Sequence, residues 1–360
     1  MAQGFDLAIV GSTPFCVVLA GLMAGSHGKS VVMIADPTTD FRITRGFDLS
    51  VGPITRPETW EILQKSVPET QKLVARIAGG SALTRLDPLL VAESQAGADV
   101  LAHVRHLALG FGLAVERAAD GAHDPNRQAI RIRDALLLDR RAFEAGQAKW
   151  LTGAGVVTLV NTATRLTVRR DGSGRIDTET GTHDVAQIVL GDDSAILSHL
   201  RRADIAQTLS IAAATCLVTE PVRAMPAPFI TYLDRGVMVR HRRNGPVTCL
   251  APGAADEARS RIRGALSGMG QLRRAGQVSF HRLLSADGAP AVGPLKGSRV
   301  PVLAGFDETR LFFAPSVARW LAGVPTPEEE RYFAARAANR GRYRGDVADV
   351  QIEPVAETAA

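Results

Sequence analysis

The stretch FDLAIVGSTPFCVVLAGLMAGSHGKSVVMIAD, residues 5–36, has the pattern of a strand, a tight turn, a helix and a second strand. Its first apolar run ends at Gly11, and its second is closed by Asp36. Between them, Thr13 and Pro14 mark the start of a helix, because threonine caps helix N-termini and proline at the first helical position needs no backbone N–H. This order predicts two parallel strands joined by a crossover helix.

A crossover of this kind predicts a nucleotide site. The helix N-terminus lies beneath the glycine turn, where backbone N–H groups and the helix dipole attract a pyrophosphate, and a carboxylate ending the second strand can bind an adenosine ribose. The G-x-G-x-x-G pattern is altered, since it reads G-S-T-P-F-C at residues 11–16. A Rossmann-like unit that binds nothing is therefore the alternative. The predicted nucleotide-site residues are Gly11, Ser12, Thr13, Pro14 and Asp36.

The composition is that of a globular protein. With 360 residues and 46% hydrophobic content, the chain can bury a large core, and we expect two interleaved domains. The three cysteines lack metal-site spacing and indicate buried thiols in a reducing compartment, so we expect no metal. The apolar run at residues 15–25 is too short to cross a bilayer, and we expect a cytoplasmic protein without a membrane partner. The net charge is +5, but most of the basic residues are scattered and they lack interleaved aromatic residues, which makes nucleic acid a weak alternative to an anionic small molecule.

Periodicity and turn signals place the remaining elements. Helices are predicted at residues 56–76, 98–109, 141–151, 258–272 and 312–321, with a last helix capped by Thr326 and Pro327 and ending near residue 341. Strands are predicted at 89–92, 156–160, 165–169, 175–180 and 188–191. Four further runs, at 215–219, 229–233, 237–242 and 247–250, predict an antiparallel sheet inserted into the parallel one. We expect a loop at residues 120–127 and a disordered tail after residue 341.

One strand of the inserted sheet has a basic face. Alternation at residues 237–242 puts Met238, Arg240 and Arg242 on one side and Val237, Val239 and His241 on the other. Such a face can hold a substrate carboxylate, or it can be an ordinary solvated face, and the sequence leaves both interpretations open.

Over residues 5–323, the order of parts resembles the FAD-dependent oxidoreductases of the D-amino-acid oxidase and glycine oxidase family. The N-terminal unit, the IVLG strand at 188–191 and the inserted sheet contribute to the resemblance, but the C-terminal stretch carries most of it. In that family a substrate-binding arginine stands five residues before D-G-x-P, and a strand, a glycine and a flavin-facing helix that opens with A-P follow. The matching residues here are Arg282, Asp287, Gly288, Pro290, Gly293, Ala304, Gly305, Ala314 and Pro315.

The resemblance implies an α/β fold with a Rossmann-like, glutathione-reductase-like FAD-binding domain and an inserted antiparallel-sheet substrate domain. The FAD-binding domain would comprise residues 1–85, 130–210 and 283–325, the substrate or cap domain 86–129 and 211–282, and the C-terminal helix and tail 326–360. The implied activity is oxidation of the C–N bond of a small amino acid or related amine by hydride transfer to FAD. Arg282 and Arg240 would clamp the substrate carboxylate. The further cofactor residues implied are Arg45, Gly46, Ala163, Gly191, Gly305, Arg310 and Leu311.

Two segments depart from the family pattern. The family's G-H-x-x-x-G reads G-F-D-E-T-R at residues 305–310, and its A-T-G reads G-D-D at 191–193. Arg310 can contact the pyrophosphate or stabilise negative charge on the flavin, whereas the two aspartates add negative charge near the cofactor. Two alternatives stay open. One is a flavoprotein hydroxylase-like enzyme, which the helix after Asp139 resembles. The other is a degenerate subunit that binds FAD weakly or not at all and acts as a partner or scaffold. Such a subunit would have a protein partner or form a homo-oligomer.

Overall fold

The structure is a computed structural model that describes residues 4–36, 43–118, 127–222, 225–242, 245–267, 272–285 and 287–340. The expected loop at residues 120–127, apart from its last residue, lies outside these ranges. The expected tail after residue 341 lies outside them as well.

Helices and strands alternate along the N-terminal third, and strands dominate the middle of the chain. The α-helices are α1 (Pro14–Gly25), α2 (Pro57–Ala78), α3 (Gln95–Gly110), α4 (Arg140–Gly153), α5 (Asp193–His199), α6 (Arg202–Ile205), α7 (Ala255–Ala265), α8 (Ala314–Leu321) and α9 (Pro327–Ala335). The strands are β1 (Phe5–Val10), β2 (Val31–Ala35), β3 (Leu83–Leu86), β4 (Leu89–Ala92), β5 (Val115–Arg117), β6 (Gln128–Ile132), β7 (Ala135–Leu138), β8 (Val157–Val160), β9 (Arg165–Val168), β10 (Gly174–Thr178), β11 (Gly181–Leu190), β12 (Leu209–Pro221), β13 (Phe229–Tyr232), β14 (Val237–His241), β15 (Pro246–Pro252), β16 (Arg274–Ser285), β17 (Ala291–Pro294) and β18 (Pro301–Ala304). Short 3-10 segments lie at Gly80–Ala82, Asn161–Ala163, Leu233–Arg235 and Asp307–Phe313.

The first sheet has the order β17-β18-β11-β1-β2-β8, with β10 on β11 and β9 on β10. β1 pairs in parallel with both β2 and β11, and β2 pairs in parallel with β8. The Thr13 hydroxyl accepts a hydrogen bond from the backbone N–H of Cys16 at 3.4 Å, and Pro14 opens α1. α1 packs between this sheet and helices α4 and α8, which buries Phe15 and Leu19 completely. The predicted strand–turn–helix–strand unit is confirmed.

The second sheet has the order β16-β12-β15-β14-β13-β4-β6-β5 and is antiparallel except where β13 runs parallel to β4. On β14, Val237 and Val239 are fully buried, while Met238 and Arg240 are half-buried on the opposite face. The predicted inserted antiparallel sheet and its two-faced strand are therefore confirmed. This sheet draws on residues 89–132 and 209–285, so β6 crosses the boundary expected at residue 130 and the domain division stays a prediction.

Some predicted boundaries are wrong. α3 begins at Gln95 rather than residue 98, because the Ser94 hydroxyl caps it by accepting from Gly97 N at 3.0 Å. α7 ends at Ala265 rather than at residue 272. A 3-10 segment precedes α8, which begins at Ala314 instead of residue 312.

The C-terminal helix α9 is capped as predicted. Thr326 accepts from the Glu329 N–H at 3.3 Å, and the Glu329 carboxylate accepts from the Thr326 N–H at 2.9 Å, which completes a capping box. Reciprocal bonds of this type fix where the helix begins.

The cysteines Cys16, Cys216 and Cys249 are buried free thiols. Burial raises the pKa of Cys16 and of Cys216 to about 12, so both are protonated at neutral pH.

Among the described residues, no group of three or more His, Cys, Asp or Glu side chains could hold a metal ion. Nor does the described chain contain a helix with the length and apolar character needed to cross a bilayer.

Candidate active site

Two adjacent cavities lie where the sheets meet. The larger, of 830 Å³, extends from the glycine turn after β1 to the arginines of the second sheet. The smaller, of 390 Å³, lies between the second sheet and the start of α2. Both volumes fall in the range of small-molecule sites. The residues that line both cavities are Met238, Arg282, Gly305, Asp307 and Glu308.

The glycine turn forms one end of the larger cavity. Gly11 has φ +150°, and a Cβ there would lie 2.6 Å from the Cys16 sulfur and 2.8 Å from an Asp192 carboxylate oxygen. Glycine is therefore required at this position. The Ser12 hydroxyl accepts a hydrogen bond from the Asp36 N–H at 2.7 Å and so ties the turn to the end of β2.

Asp192 places a carboxylate on this turn. Its two oxygens accept hydrogen bonds from Ser12 N at 2.8 Å and from Ala195 N at 2.9 Å, the second of which caps α5. Asp192 is 7% exposed, and burial raises the pKa of its carboxyl, with the two backbone N–H donors acting in the opposite direction. The Ser12 N–H of the turn thus already donates to Asp192, whereas the sequence predicted that the N–H groups of this turn are open to a pyrophosphate.

An ion pair crosses the middle of the larger cavity wall. Arg310 Nη2 lies 3.3 Å from Asp193 Oδ1, and the other Asp193 oxygen accepts from Leu283 N at 3.2 Å. The Arg310 side chain is 13% exposed. Burial lowers its pKa, but the negative charges of Asp193 and Asp192 more than offset this, so the net pKa is raised. Arg310 Nε is buried without a hydrogen-bond partner in the described chain, which leaves one donor for a ligand.

The opposite wall is basic. Arg240 on β14 and Arg242, the residue after this strand, lie 3.7 Å and 3.6 Å from the same carboxylate oxygen of Asp139. Because one carboxylate faces two guanidinium groups, this wall keeps an excess of positive charge. Burial, followed by repulsion from Arg242, lowers the pKa of Arg240. The Arg240 side chain is 18% exposed and lines the cavity, so it is not part of an open solvated face.

Arg282 on β16 lies at the junction of the two cavities. Its guanidinium contacts the carboxylate of Asp307, a residue with φ +45° in the 3-10 segment before α8. Asp287, which follows Arg282 by five residues, pairs instead with Arg340 at 2.8 Å. The polar partner of Arg282 therefore comes from the segment expected to face the flavin.

Glu308 follows Asp307 and is 8% exposed. A Cβ at Gly52 would lie 2.5 Å from its Oε1, so the backbone before α2 packs directly against the carboxyl group. Burial and then the negative charge of Asp307 raise the pKa of Glu308 to about 7, with Arg282 acting in the opposite direction. A proton can therefore move on and off this group near neutral pH.

Most of the predicted site residues line the larger cavity. Those that do are Gly11, Ser12, Thr13, Pro14, Asp36, Arg45, Gly46, Arg240, Arg282, Gly305 and Arg310. In addition, the Arg45 guanidinium lies 5.7 Å from the centre of the Phe280 ring.

Three predicted residues are absent from the cavity wall. Ala163 is exposed, although Asn161 beside it does line the cavity. Gly191 lies beneath the turn, where a Cβ would be 2.6 Å from the Cys16 sulfur. Leu311 is completely buried and packs in the core. Gly191 and Leu311 therefore lie behind the cavity wall, whereas Ala163 is exposed to solvent.

Sequence reasoning missed several wall residues, namely Asp48, Arg140, His281 and Glu308. Arg140 Nε donates to Asp48 at 3.1 Å, which joins the start of α4 to the loop before α2. Only the position of Glu308, within the altered glycine segment before α8, gave any signal.

Comparison with solved structures places the chain in a known fold. Glycine oxidase from Geobacillus kaustophilus superposes with a TM-score of 0.69 at 16% identity, covering 95% of this chain and 100% of that one. L-proline dehydrogenase from P. horikoshii gives 0.72 at 13% identity, covering 94% and 98%. Iminodiacetate oxidase from Chelativorans sp. BNC1 gives 0.67 at 16% identity, covering 91% and 98%. No family model and no curated protein matches the sequence. The expected fold is confirmed.

Proposed function

We propose that this chain is an FAD-dependent oxidoreductase that oxidises the C–N bond of a small amino acid or related amine. The observation that carries the proposal is the continuity of the larger cavity, which connects the Gly11 turn and Asp36 with Arg240 and Arg282. One end suits a dinucleotide and the other a carboxylate. The fold is that of a glycine oxidase, a proline dehydrogenase and an iminodiacetate oxidase, which adds support.

The residues fit FAD at three places. The turn at Gly11 and the N-terminus of α1 would hold the pyrophosphate, and the Asp36 carboxylate would hold the adenosine ribose. The unpartnered Nε of Arg310 offers a donor to an acceptor atom of the cofactor. Asp192 opposes binding, because its carboxylate occupies the Ser12 N–H and repels a phosphate. A bound flavin would supply the acceptor for the hydride that leaves the carbon beside the amine.

The protein's own contribution is to bind and orient the substrate. Arg282, with Arg240 nearby, would hold the carboxylate, since a guanidinium fork makes two parallel hydrogen bonds to it. The substrate carboxylate would share the Arg282 guanidinium with Asp307, which contacts its Nη2 atom. The second sheet would cover the reacting atoms and exclude water.

The preferred ligand is thus a small carboxylated amine. The three buried free thiols are in keeping with a reducing, cytoplasmic compartment.

A subunit that binds no FAD is the second candidate. The specific observation in its favour is that Asp192 and the Asp193–Arg310 pair bring two carboxylates to the cofactor end of the cavity. In the part of the chain that the structure describes, no feature of the site favours the hydroxylase-like alternative.

The test is to denature the purified protein and identify the released nucleotide. We expect FAD at a stoichiometry that rises when the protein is purified with FAD in the buffer. Recovery of NAD alone, or no FAD uptake at any concentration tried, would refute the proposal and favour the subunit.

A further inference from the structure

Glu308 is a buried carboxyl group that has no role in the proposed binding of FAD. It lines both cavities, as Arg282 does. Apart from its own backbone N–H, its carboxyl group receives no hydrogen bond or ion pair from the described chain. A buried carboxylate without a partner is costly, so this position favours a ligand that brings a positive charge.

The other carboxylates at this junction already have cationic partners. Asp307 contacts Arg282, and Glu257, across the smaller cavity, lies 2.9 Å from Arg261. The charged groups that act on Glu308 are Asp307 on its own segment and Arg282 on β16. Glu308 is therefore the carboxyl group at the junction that is left for a ligand.

We propose that Glu308 binds the ammonium group of the substrate and accepts its proton, while Arg282 binds the carboxylate. The inference rests on the proposed function and extends it by assigning the site to zwitterionic amino acids. An α-ammonium group is largely protonated at neutral pH and has no lone pair. In the proposed step an N–H bond of the substrate breaks, its electron pair stays on nitrogen, and the proton forms an O–H bond on Glu308. No electrons are exchanged in this step, which prepares the amine for oxidation of the C–N bond.

The pKa of Glu308, raised to about 7 by burial, suits this role. A general base works best when its pKa lies near the working pH, where it is partly ionised and still basic. An exposed glutamate would be a much weaker base.

The test is calorimetric binding under anaerobic conditions with matched pairs of ligands that differ in the amine alone. The pairs are glycine with acetate, and L-proline with cyclopentanecarboxylate. At pH 8 the wild type should bind the amine of each pair about tenfold more tightly, the value of one charge-assisted hydrogen bond. This preference should decline as the pH falls below 7.

Glu308→Gln should abolish the preference and leave affinity for acetate equal or improved, since a negative charge is lost. Glu257→Gln, the matched control in the same cavity, should keep the preference. The melting temperature of each variant verifies its fold. An unchanged preference in Glu308→Gln, its loss in Glu257→Gln alone, or no preference in the wild type would overturn the assignment.

The binding result is independent of the proposed oxidation. If the protein carries no FAD but shows the Glu308-dependent preference, the assignment of Glu308 is supported and the proposed oxidase activity is refuted. If the protein binds FAD and oxidises amines with the same pH profile in wild type and Glu308→Gln, the proposed activity is supported and the role of Glu308 is refuted.

Discussion

Replacement of Glu308 by glutamine should stabilise the protein by an amount that increases as the pH rises from about 5 to 8. The pKa of Glu308 is raised from 4.5 to about 7 by burial, so the folded protein holds a proton that the unfolded chain has released between these values. Stability linked to this proton is complete below about pH 4.5 and is lost as pH rises through about 7. Since one pKa unit corresponds to about 1.4 kcal/mol, this shift corresponds to about 3 kcal/mol, and the wild type should lose about 2 to 3 kcal/mol of it between pH 5 and 8 that Glu308→Gln retains.

Urea unfolding at a series of pH values from about 5 to 8 measures this difference. The free energy of unfolding of Glu308→Gln minus that of the wild type should rise over this range by about 2 to 3 kcal/mol, with the m-value unchanged. Glu179→Gln in the exposed turn between β10 and β11 is the control and should show no such rise. A difference that is constant across the pH range, or one that falls, would refute the assignment of Glu308 as a buried, unpartnered acid.

Three further substitutions test the cofactor and substrate ends of the cavity. Asp192→Asn keeps a side chain able to cap α5 but removes the charge on the turn, so FAD affinity measured by fluorescence quenching should rise about tenfold; a weaker affinity would contradict this. Asp36→Ala should lower FAD affinity about tenfold or more by removing hydrogen bonds to the ribose, worth about 1.5 to 3 kcal/mol; an equal affinity would mean that Asp36 does not contact the cofactor. Arg282→Lys keeps the charge but loses the fork, so kcat/KM for a carboxylated amine should fall by about 10²-fold at unchanged flavin content and melting temperature. Early melting or lost flavin with normal turnover per flavin would make Arg282 structural.

The sequence was sufficient for elements whose signals are local. Thr13 and Pro14 mark the start of α1, and the Thr326–Glu329 capping box marks α9, because caps act within one helical turn. Alternation along β14 correctly assigned its two faces. The pairing of β3 with β7 was missed because the run 136–138 is entirely leucine and carries no period, and its partner lies about fifty residues earlier.

The sequence predicts the site residues that belong to a motif, but it does not predict their hydrogen-bond and ion-pair partners, because these come from distant parts of the chain. Asp192 reaches the N–H of Ser12 across 180 residues of chain, which no local pattern encodes. Arg282 finds Asp307 rather than a residue in its own segment, because β16 ends beside the 3-10 segment that precedes α8. Glu308 stood within the quoted G-F-D-E-T-R segment, but its altered acidity comes from burial against Gly52, which only the packed structure provides.

The most direct test of the central claim is an anaerobic reduction experiment on the purified protein reconstituted with FAD. Glycine, L-proline and iminodiacetate are each added without NADPH while the visible absorbance of the flavin is followed. We predict that at least one of them bleaches the flavin, and that Arg282→Lys slows the bleaching by about 10²-fold. A flavin that none of the amines reduces but NADPH does would contradict oxidation of a C–N bond as the function of this cavity.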